Sequence, residues 1–178
     1  MSLKKIKVIA VFGIFIISFI AHFAYDIFPN IIFSFFFPVN ESIWEHMKIL
    51  FTSPILYGII DYILLTKKKL SFHNFPFQLY FTSFINVPIY LIIYLPLYKL
   101  IGENLFISIS LMFMVYAFSQ YISYHILKDK NYKILNSLAI PIIILIYFGF
   151  IYLTYNPLHN YIFYDTTKNQ YGIERSPK

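Results

Sequence analysis

The sequence lacks cysteine, which excludes disulfide bonds and thiolate metal ligands in this chain. Charged residues are scarce, because Asp, Glu, Lys and Arg make up only 12% of the 178 residues. A soluble domain of this size would need far more polar surface to cover its core. No internal repeat is evident in the sequence, which argues against a transporter built from inverted repeats.

Apolar residues dominate instead, since 59% of the chain is hydrophobic and 22% is aromatic. This composition predicts an all-α, polytopic membrane helix bundle in the cell membrane, with membrane lipid as its partner. The net charge of +6 does not indicate a nucleic-acid partner, because the lysines form short clusters between apolar runs. The bundle is predicted to occupy residues 1–154, with a polar C-terminal tail over 155–178. Its five predicted spans are about 8–28, 41–66, 75–100, 105–127 and 134–153.

The first apolar run has two interpretations, a cleaved signal peptide or a membrane span. It is longer than the apolar region of a signal peptide, and Ala21-His22-Phe23-Ala24 is a poor cleavage site. We therefore expect a retained first span.

The lysine clusters predict the orientation of the bundle, because cytoplasmic loops of membrane proteins carry an excess of Lys and Arg. With the N-terminus inside, nine of the 14 Lys and Arg residues fall on the cytoplasmic side, namely Lys4, Lys5, Lys7, Lys67, Lys68, Lys69, Lys128, Lys130 and Lys133. The outer side then carries Lys99, Lys168, Arg175 and Lys178, together with Glu174. Five spans place the C-terminus outside, so we predict an N-in, C-out topology.

Residues 29–37 are apolar but too few to cross a bilayer at about 1.5 Å per helical residue. We expect this segment to lie at the interface or to dip back into the membrane. Pro38 disfavours helix at Phe37. Asn40 is suited to cap the helix that follows, with Glu41 in its first turn.

The most unusual stretch of the chain is residues 38–48, with the sequence PVNESIWEHMK. It places two carboxylates, an imidazole, an ammonium and the only tryptophan at the predicted outer mouth of the second span. Charge in such a position is costly and usually functional. His22 of the first span lies at a matching depth, about 10 Å below its outer end, against about 9 Å for His46 in the second.

Spacing groups these side chains on two helix faces. His22 and Asp26 are four residues apart, and so are Glu41 and Glu45, with Lys48 continuing the second face. Carboxylates one turn apart repel each other unless a cation or a shared proton relieves them.

Three interpretations of this arrangement stay open. A divalent metal such as zinc would neutralise both carboxylates, and its candidate ligands are His22, Asp26, Glu41 and Glu45. The candidate catalytic residues are Glu45 and His46, although an ideal helix points His46 about 100° away from Glu45, toward another helix or beside the site. The second interpretation is a polar site for a proton or substrate without metal. The third is structural, with helix-dipole contacts and a Glu45–Lys48 surface pair.

The C-terminal tail alternates turn formers with aromatic residues. We expect it to fold back on the outer surface, to bring His159 and Asp165 near residues 38–48, and to cover the site.

Other polar residues are predicted to be structural. Asp61 is expected to snorkel to the cytoplasmic interface from the end of the second span. A polar stripe on the fourth span is typical of contacts between membrane helices, and it consists of Tyr116, Ser119, Gln120 and Ser123.

Residues 38–48 resemble the signature of an uncharacterised family of small bacterial multi-pass membrane proteins, a domain of unknown function. The tail is similar to that family at residues 163–167 and at Tyr171-Gly172, with Lys168-Asn169 where a glycine turn is expected. The resemblance implies a bacterial integral membrane protein and supplies no activity. A weaker similarity is to the membrane hydrolases that include alkaline ceramidases, whose seven spans and paired late histidine motif are not evident in this sequence.

Three functions follow as alternatives. The first is a metal-dependent membrane hydrolase, in which metal-activated water attacks a lipid or envelope substrate with a carboxylate as base. The second is a small proton-coupled transporter, with a polar path through Asn86 and Gln120 to His125. The third is a non-catalytic structural or regulatory membrane subunit.

Overall fold

The computed structural model describes residues 1–70 and 72–173. The outer positions predicted for Glu174, Arg175 and Lys178 lie outside the described residues. Six helices and a two-stranded hairpin make up the described chain: α1 (Leu3–Ile27), α2 (Ile31–Phe36), α3 (Ile43–Lys67), α4 (Phe75–Ile101), α5 (Leu105–Lys128), α6 (Lys133–Tyr155), β1 (Tyr164–Asp165) and β2 (Gln170–Tyr171).

Five of these helices, α1 and α3 to α6, are long and apolar enough to cross a membrane. The predicted all-α polytopic membrane bundle is therefore confirmed. The largest difference from the predicted span limits is at the N-terminus, where the helix begins at Leu3. Its start is set by Ser2, whose hydroxyl accepts a hydrogen bond from the Lys5 amide at 3.4 Å.

Four of the long helices form a ring. α1 packs on α3 and α5, and α4 packs on the same two helices, while α6 lies outside the ring against α4 and α2. The ring is tight where α1 meets α3, because a Cβ added at Gly13 would lie 2.1 Å from Cε2 of Tyr57. The buried side chains between the four helices include Ile14, Met47, Leu50, Phe51, Tyr90, Tyr94, Leu111, Val115 and Tyr116.

The short segment 29–37 folds inward beside α3 rather than lying flat across its end. The carbonyl of Phe36 accepts a hydrogen bond from the Thr52 hydroxyl at 3.0 Å, and the Phe36 ring packs 4.9 Å from that of Tyr147. Thr52 is nine residues inside α3, about 13 Å from the start of that helix at about 1.5 Å per residue. Of the two alternatives for this segment, the structure favours the one that dips back toward the bundle.

The start of α3 differs from the prediction. Ser42 is the N-cap, because its hydroxyl accepts from the Glu45 amide at 3.3 Å, so the prediction of Asn40 as the cap and of Glu41 in the first turn is wrong. The Asn40 side chain instead accepts from the Ser42 amide at 2.9 Å and donates to the carbonyl of Gly172 at 2.9 Å. A contact with the tail therefore holds Asn40 outside the helix.

The prediction that Asp61 snorkels to the interface is also wrong. Asp61 is only 3% exposed and forms an ion pair with Lys7, which is equally buried. Burial of a carboxylate requires such a partner, so this pair joins α1 to α3 at the end opposite residues 38–48.

Candidate functional site

Three of the predicted site residues converge at one end of the bundle. Nε2 of His46 lies 3.4 Å from one Glu41 carboxylate oxygen, and Nε2 of His22 lies 3.9 Å from the other. The two imidazole rings are 5.1 Å apart between centroids. The ligand-type atoms of these residues all lie within 4.8 Å of one another, close enough to surround a single metal ion.

Each residue of this cluster comes from a different structural element. His22 is in the last turns of α1, Glu41 is in the loop before α3, and His46 is in the first turn of α3. The amide of Glu41 donates to the Asp165 carboxylate at 3.0 Å, so the tail fixes the backbone that carries the central ligand. The sequence predicts a matching depth for His22 and His46, and the structure brings these two side chains together with Glu41.

The hydrogen bonds of His46 determine which of its nitrogens faces the cluster. Nδ1 lies 2.9 Å from the carbonyl oxygen of Ser42, and because a carbonyl only accepts, Nδ1 carries the proton. In the neutral ring, Nε2 then presents a lone pair to the Glu41 carboxylate. Two acceptors facing each other require either a second proton on His46 or a cation between them, and a backbone-anchored imidazole is the arrangement common among metal-binding histidines.

Electrostatics at Glu41 favour its ionised form. When His46 is protonated, its hydrogen bond holds the pKa of the Glu41 carboxyl below its ordinary value. A metal ion at the same place would act in the same direction, because it also stabilises the carboxylate.

Two of the predicted ligands lie elsewhere. Asp26 is exposed and stands outside the group formed by His22, Glu41 and His46. Glu45 is 1% exposed and its carboxylate contacts the ammonium of Lys48 at 2.7 Å. The pair that was predicted as a surface contact is therefore buried.

Glu45 and Lys48 hold the inward-folded segment in place. The Glu45 carboxylate also accepts from the Val39 amide at 3.1 Å and from the Thr154 hydroxyl at 2.7 Å. The Lys48 ammonium donates to the carbonyl of Ser34 at 2.8 Å. These bonds connect α2, α3 and α6, which gives both charges a structural role.

A cavity of about 390 Å³ opens beneath the cluster. All four helices of the ring contribute to its wall, together with the tail. The carboxylate of Glu103 and the rings of Tyr90, Tyr94 and Tyr98 line it as well. Sequence reasoning did not single out these tyrosines, although their spacing of four residues places them on one helix face.

The tail folds back onto residues 38–48, as predicted. The backbone N–H of Trp44 donates to the carbonyl of Ile162 at 2.9 Å, and the Trp44 ring stacks on that of Phe163 at 4.9 Å. His159 packs against the hairpin, since its ring stacks 4.6 Å from that of Tyr171 in β2. Cavity-lining residues from the tail are Tyr161, Tyr164 and Thr166, which place the tail over the mouth.

Asp165 organises the hairpin turn. Burial raises the pKa of its carboxyl, but hydrogen bonds from Thr167, Glu41 and Lys168 outweigh this effect and bring the pKa below its ordinary value. The carboxylate is thus the form that holds the docked tail. Asn169, at the expected glycine position, adopts φ of +54°, a left-handed conformation that asparagine tolerates better than most residues.

The residues of the predicted transport path are separated from one another. Asn86 donates to the carbonyl of Leu50 at 3.2 Å, inside the ring. Gln120 and His125 line a different cavity, between α1 and α5. In the polar stripe, Ser123 donates to Gln78 of α4, a contact between helices of the predicted kind.

Comparison with known proteins gives one family. No curated protein and no solved structure matches the chain. The model of a family described as "Family of unknown function (DUF6512)" matches residues 1–173. The chain therefore belongs to this family, DUF6512.

Proposed function

We propose that the protein is a membrane-embedded metal hydrolase, with a divalent metal ion held by His22, Glu41 and His46. The observation that carries the proposal is the convergence of the three side chains, whose ligand-type atoms all lie within 4.8 Å of one another. The contact of His46 Nδ1 with the Ser42 carbonyl supports it, because a proton on Nδ1 leaves the Nε2 lone pair facing the Glu41 carboxylate. Two imidazoles and one carboxylate are a ligand set found in catalytic zinc sites. We therefore expect zinc.

A zinc ion held by these three ligands would keep one coordination position for water, and the three residues also line the cavity. When bound, zinc would supply a water activated for attack at neutral pH, because it lowers the pKa of a bound water to about 7. Glu103 lines the same cavity and is not one of the three clustered ligands. We assign it the role of general base, in place of Glu45, which is held by Lys48.

We expect purified wild-type protein to bind about one zinc ion per chain. The double variant His22→Ala/His46→Ala should bind zinc at least about 100-fold more weakly, because changing only the hydrogen-bond partners of metal ligands already lowers metal affinity about 10–100-fold. Elemental analysis and zinc titration of the detergent-purified full chain give the two values. Asp26→Asn is the matched control, since this exposed carboxylate lies outside the cluster and its loss should leave zinc binding unchanged. Absence of stoichiometric zinc, manganese and iron in the wild type would show that a protonated His46 fills the role of the cation.

We also propose that the site faces outward, with the N-terminus in the cytoplasm, because the lysine clusters lie at the opposite end of the bundle. The cysteine-free sequence suits a labelling test with a membrane-impermeant maleimide on intact cells. We expect Lys168→Cys, in the exposed hairpin turn, to be labelled directly. Lys68→Cys, exposed after α3, should react only after lysis. The reverse pattern would place the site on the cytoplasmic side.

A further inference from the structure

The cavity beneath the metal site has the form of a pocket for a hydrocarbon chain. Its volume of about 390 Å³ falls within the range of small-molecule pockets, about 300–1,000 Å³. Along α4 it is lined from Tyr98 to Tyr90, eight residues apart, which gives a length of about 12 Å at about 1.5 Å per residue. The cavity is thus long enough to hold part of an acyl chain below the metal.

The wall of the cavity is apolar below its mouth. Side chains from two opposite helices of the ring form much of this wall, namely Met47 and Leu50 of α3 and Met112 of α5. Tyr90 and Tyr94 also line it, with buried rings that stack on each other at 5.0 Å between centroids. Together with the aliphatic side chains, these rings make the lower cavity better suited to hydrocarbon than to a polar solute.

One side of the cavity opens toward the lipid-facing surface of the bundle. Three apolar lining residues near the mouth are themselves exposed: Phe19 by 39%, Phe23 by 52% and Leu105 by 75%. They lie on α1 and α5. These two helices are in contact deeper in the bundle, where the aromatic rings of Phe15 and Phe113 are 5.2 Å apart between centroids. A gap between these helices above that contact would admit a chain sideways from the bilayer.

The charges at the mouth restrict the head group. Glu41 and Glu103 both line the cavity, and their two negative charges balance those of a bound divalent metal ion. These groups therefore leave no net positive charge to attract an anionic head, which favours a neutral or zwitterionic one. A chain in the lower cavity would bring the linkage at its upper end next to His22 and His46.

We propose that the substrate is a membrane lipid with a neutral or zwitterionic head, whose acyl chain lies in the cavity with its ester or amide carbonyl at the metal site. This inference rests on the proposed function. In hydrolysis, water oxygen bonds to the carbonyl carbon, and the bond from that carbon to the ester oxygen or amide nitrogen breaks. The leaving alcohol or amine takes the proton that Glu103 removed from the water, and the acyl chain leaves as a carboxylic acid. Its remaining proton passes to solvent or, for an amide, to the released amine, which leaves the chain as a carboxylate.

The experiment uses a phosphatidylethanolamine with a photoactivatable diazirine on its acyl chain, mixed into phosphatidylcholine vesicles with the full chain. Crosslinks mapped by mass spectrometry should include the cavity wall at Leu50 and Met112. Met112→Trp fills the cavity and should reduce labelling at Leu50 by at least about 5-fold, since one bulky side chain displaces most of a small ligand. Met114→Trp, on the exposed face of the same helix, is the matched control and should leave it unchanged.

The two proposals can fail separately in this design. His22→Ala/His46→Ala removes the metal ligands but leaves the lower cavity intact, so labelling of Leu50 should persist in this variant. If the wild type is labelled at Leu50 but binds no metal, the chain pocket is retained and the metal site is rejected. Wild-type crosslinks found only at lipid-facing residues such as Met114 would overturn the chain pocket, whatever the folding of Met112→Trp.

Discussion

Replacing Lys48 with methionine is expected to lower the free energy of unfolding by about 3–5 kcal/mol, the usual cost of removing one partner of a buried ion pair. The Glu45 carboxylate would be left buried without its cation, and the carbonyl of Ser34 would lose its donor. Methionine keeps most of the volume of the lysine stem, so the loss reflects charge and hydrogen bonding rather than a cavity. Equilibrium unfolding in detergent micelles, by titration with sodium dodecyl sulfate, measures the difference.

Two further variants separate this cause from a general effect of losing a lysine. Lys67→Met removes an exposed charge from the end of the same helix and should change stability by less than about 0.5 kcal/mol. The double variant Lys48→Met/Glu45→Gln removes both charges and should recover part of the loss, because no unpaired ion remains. If Lys48→Met has the same free energy of unfolding as the wild type, the Glu45–Lys48 ion pair makes no net contribution to stability.

Hydropathy made the helices of this protein predictable, whereas the site depends on contacts between distant residues. Each long helix must satisfy its own backbone hydrogen bonds in the membrane, so its length and composition appear in the local sequence. The start of α3 does not follow this rule. Asn40 has the chemistry of a cap, but a bond to Gly172, 132 positions away, uses its side chain elsewhere.

The choice between Glu41 and Glu45 shows the same limit. On a continuous helix these residues share a face, and the sequence therefore predicts that they act together. Because α3 begins only at Ile43, Glu41 is free to turn toward His22 and His46 while Glu45 turns toward Lys48. The position at which α3 begins, two residues after Glu41, thus decides which carboxylate reaches the cluster.

The cavity was the least predictable part, because its wall comes from four helices and the tail. The tyrosines at 90, 94 and 98 carry a local signal, since their spacing places them on one face of α4. That spacing alone does not distinguish a cavity wall from a lipid-facing surface. The distinction requires knowing that α4 closes a ring with α1, α3 and α5.

We expect Gly172→Ala to detach the tail from the mouth of the cavity. Gly172 has φ of +58°, and a Cβ at this position would lie 2.4 Å from the backbone oxygen of Thr154. The left-handed conformation costs alanine about 1–2 kcal/mol and the collision adds about 1–3 kcal/mol. At a tenfold change for each 1.4 kcal/mol, a total of about 3 kcal/mol raises the detached population by about 100-fold.

The only tryptophan of the chain reports this change directly. Trp44 stacks on Phe163, so detachment should shift its fluorescence emission to longer wavelength and should expose residues 156–173 to proteolysis. Gly102→Ala is the matched control, because Gly102 also has a positive φ, +74°, but no atom lies within 4 Å of its added Cβ. Equal emission spectra for Gly172→Ala and the wild type would contradict the docked tail. If docking also fixes Glu41 through Asp165, Gly172→Ala should bind zinc more weakly as well, whereas Gly102→Ala should bind it as the wild type does.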